Sequence, residues 1–139
     1  MKILIAEDDR VSRTFLQKFM QGYGEVEVAV DGMEAVDMYM DSIKKNDRYD
    51  LLCLDIMMPK VDGLKVLKVI RQIEKQQNIP AEEHLKIIMM TALADVGYVD
   101  EAFRQGCDAY ASKPVDTEKV QEVMIKLGLV QDPENQEQE

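Results

Sequence analysis

The run LLCLDIMMPKVDG, residues 51–63, sets four apolar residues, Leu51–Leu54, directly before an acid, Asp55. Ile56, Met57, Met58 and Pro59 follow, and Asp62-Gly63 then supplies a turn. A short continuous apolar run bounded by polar and turn residues reads as a parallel strand covered on both faces. Similar runs occur at Ile3–Ala6, Ile87–Met90 and Ala109–Ala111. Val26–Val30 keeps one polar position and reads as an edge strand. Helical spacing fills the intervals: Val11, Phe15, Phe19 and Met20, then Val36, Tyr39, Met40 and Ile43, then Leu67, Ile70 and Ile73. Val99, Ala102 and Phe103 form a weaker stripe ended by Gly106. Val120, Val123, Met124 and Leu127 form the last, opened by Asp116 or Thr117 and closed by Gly128. Five strands alternate with five helices. That order predicts an α/β domain, a doubly wound five-stranded parallel sheet with helices on both faces.

The 139 residues make one domain of ordinary size, 46% hydrophobic and 32% charged. Residues 1–129 read as that domain and residues 130–139 as an acidic, disordered tail. Seventeen Lys and Arg against 27 Asp and Glu give a net charge of −10. So acidic a chain repels phosphate backbones and anionic lipid, which argues against direct nucleic-acid or membrane-surface binding. Cys53 and Cys107 lie outside any metal-binding spacing and read as reduced and buried. The ten methionines fall mostly inside the apolar stripes and read as core filler. The apolar start, Ile3–Ala6, is too short for a signal peptide, and no run approaches a membrane span, so the expected location is cytoplasmic.

In an open parallel sheet, ligands bind beyond the carboxyl ends of the strands. The unusual residues sit there: Glu7 and Asp8 after the first strand, Asp55 after the third, Thr91 after the fourth and Lys113 after the fifth. Acids so close raise one another's pKa unless a cation intervenes, and a hard divalent ion such as Mg2+ meets that need. Single aspartates in such loops are usually helix caps, but five compatible side chains at strand ends are harder to assign to capping. A carboxylate near a metal and a fixed ammonium is equipped to attack a phosphoryl group, with Thr91 donating a hydrogen bond. The product would be an aspartyl phosphate on Asp55.

The set Glu7-Asp8, Asp55-Ile-Met-Met-Pro-x-x-Asp-Gly63, Thr91-Ala92 and Lys113-Pro114 resembles the receiver domain of bacterial two-component response regulators, chemotaxis-regulator-like, from about Met1 to Gly128. The resemblance implies a flavodoxin-like sheet of strand order 2-1-3-4-5. It implies Asp55 as phosphoacceptor, with Asp8, Asp55 and the Met57 carbonyl binding Mg2+ directly and Glu7 through water. Lys113 and Thr91 would contact the phosphoryl group, and Lys113–Pro114 would be cis. Thr91 and Tyr110 would form the switch, and Met57 and Leu93 would border the water that ends the phosphorylated state. Asp9 would be a helix cap. The implied donor is a histidine kinase or phosphotransfer protein. A downstream protein target would read the fourth helix, fifth strand and fifth helix.

Two connections, Gln76–Leu85 and Ser42–Tyr49, run longer than this family's usual ones, and His84 within the first reads as a solvated loop histidine. About ten residues follow the fifth helix, which predicts a stand-alone receiver rather than an enzyme. A Mg2+-dependent phosphohydrolase with an aspartyl nucleophile is one alternative, although the usual Asp-x-Asp is missing because Met57 stands two after Asp55. A receiver fragment of a larger regulator is the other.

Overall fold

The computed structural model describes residues 1–58, 60–92 and 97–132. Five strands, β1 (Lys2–Ala6), β2 (Glu25–Ala29), β3 (Leu51–Asp55), β4 (Lys86–Thr91) and β5 (Ala109–Ser112), form one parallel sheet of order β2-β1-β3-β4-β5. Five helices alternate with them: α1 (Arg10–Met20), α2 (Gly32–Lys44), α3 (Gly63–Gln76), α4 (Val99–Arg104) and α5 (Thr117–Lys126). The strand order turns back between β1 and β3, where Ala6 lies beside Leu54. The crevice beyond those two strand ends is the switch point of the sheet.

Alternation along each strand divides the core into two layers. Ile3, Ile5, Leu51, Cys53, Ile88 and Met90 cluster with Leu16 and Met20 of α1 and with Val120 and Met124 of α5. Leu4, Ala6, Leu52, Leu54, Ile87 and Met89 cluster with Tyr39 of α2, Leu67 and Ile70 of α3, and Ala102 of α4. Both faces of the central strands are therefore dry, which is why their sequences read as unbroken apolar runs. Asp9, Asp31, Asp62 and Asp116 cap α1, α2, α3 and α5, each accepting a hydrogen bond from a backbone N–H of the first turn.

Several local expectations change. On α1 the buried stripe is Leu16 and Met20, whereas Val11 is 78% exposed and Phe15 47% exposed. One residue of offset rotates a side chain by about 100° around the helix, so Val11 and Phe15 belong to the neighbouring, outward row. Met40 likewise stands one residue past the buried Tyr39 and is exposed, as are Met33 and Met57. Asp62-Gly63 is no free turn. Asp62 caps α3, and a Cβ at Gly63 would run into the Asp55 carbonyl oxygen and come within 2.9 Å of Ile56 Cα.

The two long connections touch each other through Arg48 Nη2 and Glu83 Oε1, 2.6 Å apart, the latter in a single 3-10 turn at Ala81–Glu83. His84 keeps a partly exposed side chain but is also held: Nε2 lies 2.9 Å from Ile79 O and Nδ1 3.7 Å from Glu74 Oε1. Glu74 is fully buried, taking hydrogen bonds from Tyr39 Oη and Leu85 N and an ion pair from Arg71. Arg71 also donates to Gly106 O and Asp108, tying α3 to the start of β5. Both thiols are free, and burial pushes them up, Cys53 to about 12 and Cys107 to about 11. Val130 packs on the α1–α5 core, while residues 133–139 of the expected tail lie outside the described residues. No helix among the described residues is long and apolar enough to cross a membrane.

Candidate phosphoryl-acceptor site

Four of the five side chains expected at the strand ends come together. Lys113, just past β5, puts Nζ 2.6 Å from Glu7 Oε2 and 3.0 Å from Asp55 Oδ2. Carboxylate oxygens of Glu7, Asp8 and Asp55 all lie within 4.8 Å of one another. Thr91, the last residue of β4, is fully buried and hydrogen-bonds through its hydroxyl to Ala92 O. Its carbonyl accepts from Lys113 N at 2.7 Å, which links the ends of β4 and β5. The Lys113–Pro114 peptide is cis. The convergence follows from topology, because parallel strands deliver all their carboxyl ends to one rim.

Asp55 is buried and uses both oxygens. Oδ1 accepts from Met57 N at 3.2 Å, and Oδ2 faces Lys113. Desolvation raises its carboxyl to about 7, helped by the Glu7 charge and opposed by the Lys113 ammonium. Burial works against the charge on Lys113, but hydrogen bonds and attraction from Glu7 and Asp55 outweigh it, so its pKa also stands above the usual value. Glu7 Oε1 accepts from Asp9 N at 3.0 Å. Glu7 Oε2 is buried, with the Lys113 ammonium 2.6 Å away as its ion-pair partner. Three carboxylates converging within 4.8 Å, two of them on a single ammonium, form the donor set a hard divalent cation takes. The residues present fit such an ion.

Asp9 turns away from this cluster to cap α1 through Ser12 N. The Met57 side chain is 49% exposed, and Leu93 lies outside the described residues. Tyr110 is exposed, edge-on to Phe103 with ring centroids 6.2 Å apart. The sequence reading missed Arg13, whose Nη1 donates to Glu7 O at 3.0 Å and Asp8 O at 3.2 Å. Nothing in an arginine five residues beyond Asp8 signals that it reaches back around the turn.

The response regulator receiver domain family matches residues 3–125. The chain belongs to this family. Among curated relatives, this receiver is 31% identical over 129 residues to the osmosensing histidine protein kinase SLN1 of Saccharomyces cerevisiae, covering 91% of the chain and 10% of that protein. It is 36% identical over 121 residues to the response regulator MprA of Mycobacterium avium, covering 86% of the chain and 47% of that protein. The chain thus spans about a tenth of the first relative and about half of the second. Among solved structures, the CheX–CheY–BeF3–Mg complex from Borrelia burgdorferi aligns with a TM-score of 0.78 at 27% identity, covering 92% of this chain and 89% of that one. A putative response regulator from Chloroflexus aurantiacus aligns with a TM-score of 0.75 at 28% identity, covering 91% and 97%. The receiver fold and its strand order are those expected from the sequence.

Proposed function

We propose that this receiver accepts a phosphoryl group on Asp55 from the phosphohistidine of a histidine kinase or phosphotransfer protein and signals by changing what its surface binds. The observation that carries this reading is Asp55 itself: a buried carboxylate with one oxygen on a backbone N–H and the other 3.0 Å from the Lys113 ammonium. An Asp55 oxygen attacks phosphorus, the O–P bond forms as the donor's N–P bond breaks, and the leaving imidazole takes up a proton. Lys113 is placed to neutralise phosphoryl charge, and Thr91 to donate its hydroxyl once that hydroxyl leaves Ala92 O. Asp8 and Asp55, with the Met57 carbonyl, would hold Mg2+ directly, and Glu7 would hold it through water. Bound there, the ion would offset negative charge on the phosphoryl oxygens.

Phosphorylation adds about 1.5–2 negative charges beside a lysine and a threonine, and so biases the Thr91–Tyr110 pair between two arrangements. The exposed Tyr110 and Phe103 support a reading in which a downstream protein binds the face formed by α4, β5 and α5. The role is signalling in the cytoplasm, with no chemistry beyond the protein's own phosphorylation and dephosphorylation. Incubation with Mg2+ and labelled acetyl phosphate tests the acceptor. Asp55→Ala is expected to abolish labelling, and labelling of that variant at the wild-type rate would overturn the assignment.

Met57 and Leu93 border the approach of hydrolytic water in this reading, and neither side chain holds a water through a strong hydrogen bond. The phosphorylated state is therefore expected to be long-lived. The double variant Met57→Asn with Leu93→Glu is expected to dephosphorylate about tenfold faster or more, the worth of one hydrogen bond to a charged group. Decay of label after donor removal measures it, and an unchanged rate would place water control elsewhere.

A further inference from the structure

Arg13 stands one turn into α1, and its Nη1 donates to two successive carbonyls, Glu7 O at 3.0 Å and Asp8 O at 3.2 Å. Both carbonyls lie where the chain leaves β1, outside the hydrogen bonds of sheet and helix. The first helical carbonyl bond, Arg13 N to Asp9 O, comes after them, and Ser12 N is already taken by the Asp9 side chain. The peptide joining Asp8 to Asp9 is thereby held at both ends. Its oxygen accepts from Arg13, and its N–H, at Asp9, donates to Glu7 Oε1 at 3.0 Å.

A peptide whose oxygen is bound to a cation is polarised, so its N–H becomes a stronger donor. The Glu7 carboxylate is then fixed through Oε1, while its second oxygen, Oε2, is buried and faces the Lys113 ammonium at 2.6 Å, in the cluster with Asp8 and Asp55. We propose that Arg13 is a positioning residue for the cation site, acting through the Asp8–Asp9 peptide to present Glu7 Oε2, together with Asp8, to a divalent metal. This rests on the reading of Glu7, Asp8 and Asp55 as the Mg2+ site.

Charge and position predict opposite signs. Removing a positive charge near a cation site tightens Mg2+ binding by Coulomb's law alone. Removing the group that orients the ligands weakens it, typically by about 10–100-fold for such outer partners. The test is Mg2+ titration of the full chain, read by calorimetry and by the rise in melting temperature, for wild type, Arg13→Gln and Arg10→Gln. Arg10 lies on the same helix without a hydrogen bond to these carbonyls among the described residues, so it reports the field alone.

Arg13→Gln is expected to weaken Mg2+ binding about tenfold or more, and Arg10→Gln to leave it unchanged or slightly tighter. Should Arg13→Gln fail to fold, Arg13→Lys keeps the charge but loses the fork, and it too is expected to bind Mg2+ more weakly than wild type. The proposal is overturned if the Arg13 variant that folds binds Mg2+ as tightly as wild type or more tightly. It is also overturned if its metal-free melting temperature falls while its Mg2+ affinity does not, because Arg13 would then only brace the helix. Wild-type protein that binds no Mg2+ would overturn the site reading itself, a result the variants cannot mimic.

Discussion

Asp55 carries two demands that pull against each other. As the proposed nucleophile it must be ionised near neutral pH, yet it is buried at the end of an apolar strand and faces Glu7. Its carboxyl stands at about 7 in the metal-free fold against 3.8 for an ordinary aspartate. An acid raised in this way stays protonated in the fold after it has ionised in the unfolded chain. Its contribution to stability is therefore full below about pH 4 and is lost as pH rises through about 7. Metal-free protein is expected to lose more stability between pH 5 and pH 8 than the Asp55→Asn variant does. Melting temperatures of both across that range measure the difference, and parallel curves would mean that Asp55 titrates normally.

Among the elements, the proposed acceptor Asp55 is placed by how closely α3 approaches β3. Asp62 caps the helix through Lys65 N, and Gly63 N donates to Ile56 O at 2.7 Å, so the first turn of α3 rests on the strand end that bears Asp55. Only a residue without Cβ fits, because backbone atoms of Asp55 and Ile56 occupy that space and cannot rotate away as a side chain would. Gly63→Ala is expected to cost about 1–3 kcal/mol, the usual price of overpacking, and to slow labelling of Asp55 by shifting its carboxylate away from Lys113. Urea unfolding together with acetyl phosphate labelling checks both effects. Wild-type values in both would mean that α3 can move back without disturbing the site.

The whole molecule concentrates acids at one pole of an already acidic chain, and the metal-free fold bears their repulsion. A ligand that binds only the folded state stabilises it by an amount set by its concentration relative to its dissociation constant, about 1.4 kcal/mol at tenfold excess. Mg2+ is therefore expected to raise the melting temperature of wild type. Asp8→Asn removes one of three neighbouring carboxylates, so it is expected to be more stable than wild type without Mg2+ and to gain less from the metal. Melts with and without Mg2+ decide this, and an equal gain for both proteins would remove Asp8 from the metal site.

The sequence by itself determined the sheet and the rim. Unbroken apolar runs such as Leu51–Leu54 arise only where both faces of a strand are covered, and the periodicity that follows each run names the helix that covers it. Because parallel strands end at one edge, Glu7, Asp8, Asp55 and Lys113 could be grouped before any distance was known. Whatever depends on rotation or on contact between distant segments needed the tertiary structure. A period near 3.6 marks a helix, but it did not tell that the Leu16–Met20 row faces the sheet and the Val11–Phe15 row faces outward. Asp62-Gly63 reads locally as a turn, and only the packing of α3 on β3 makes it a cap and a close approach. Buried Glu74, with Tyr39, Arg71 and Leu85 around it, looks like any other helical glutamate in the sequence. Arg13 likewise gains its partners only when α1 folds back beside the β1 end, since hydrogen bonds across a turn are set by geometry that residue spacing does not encode.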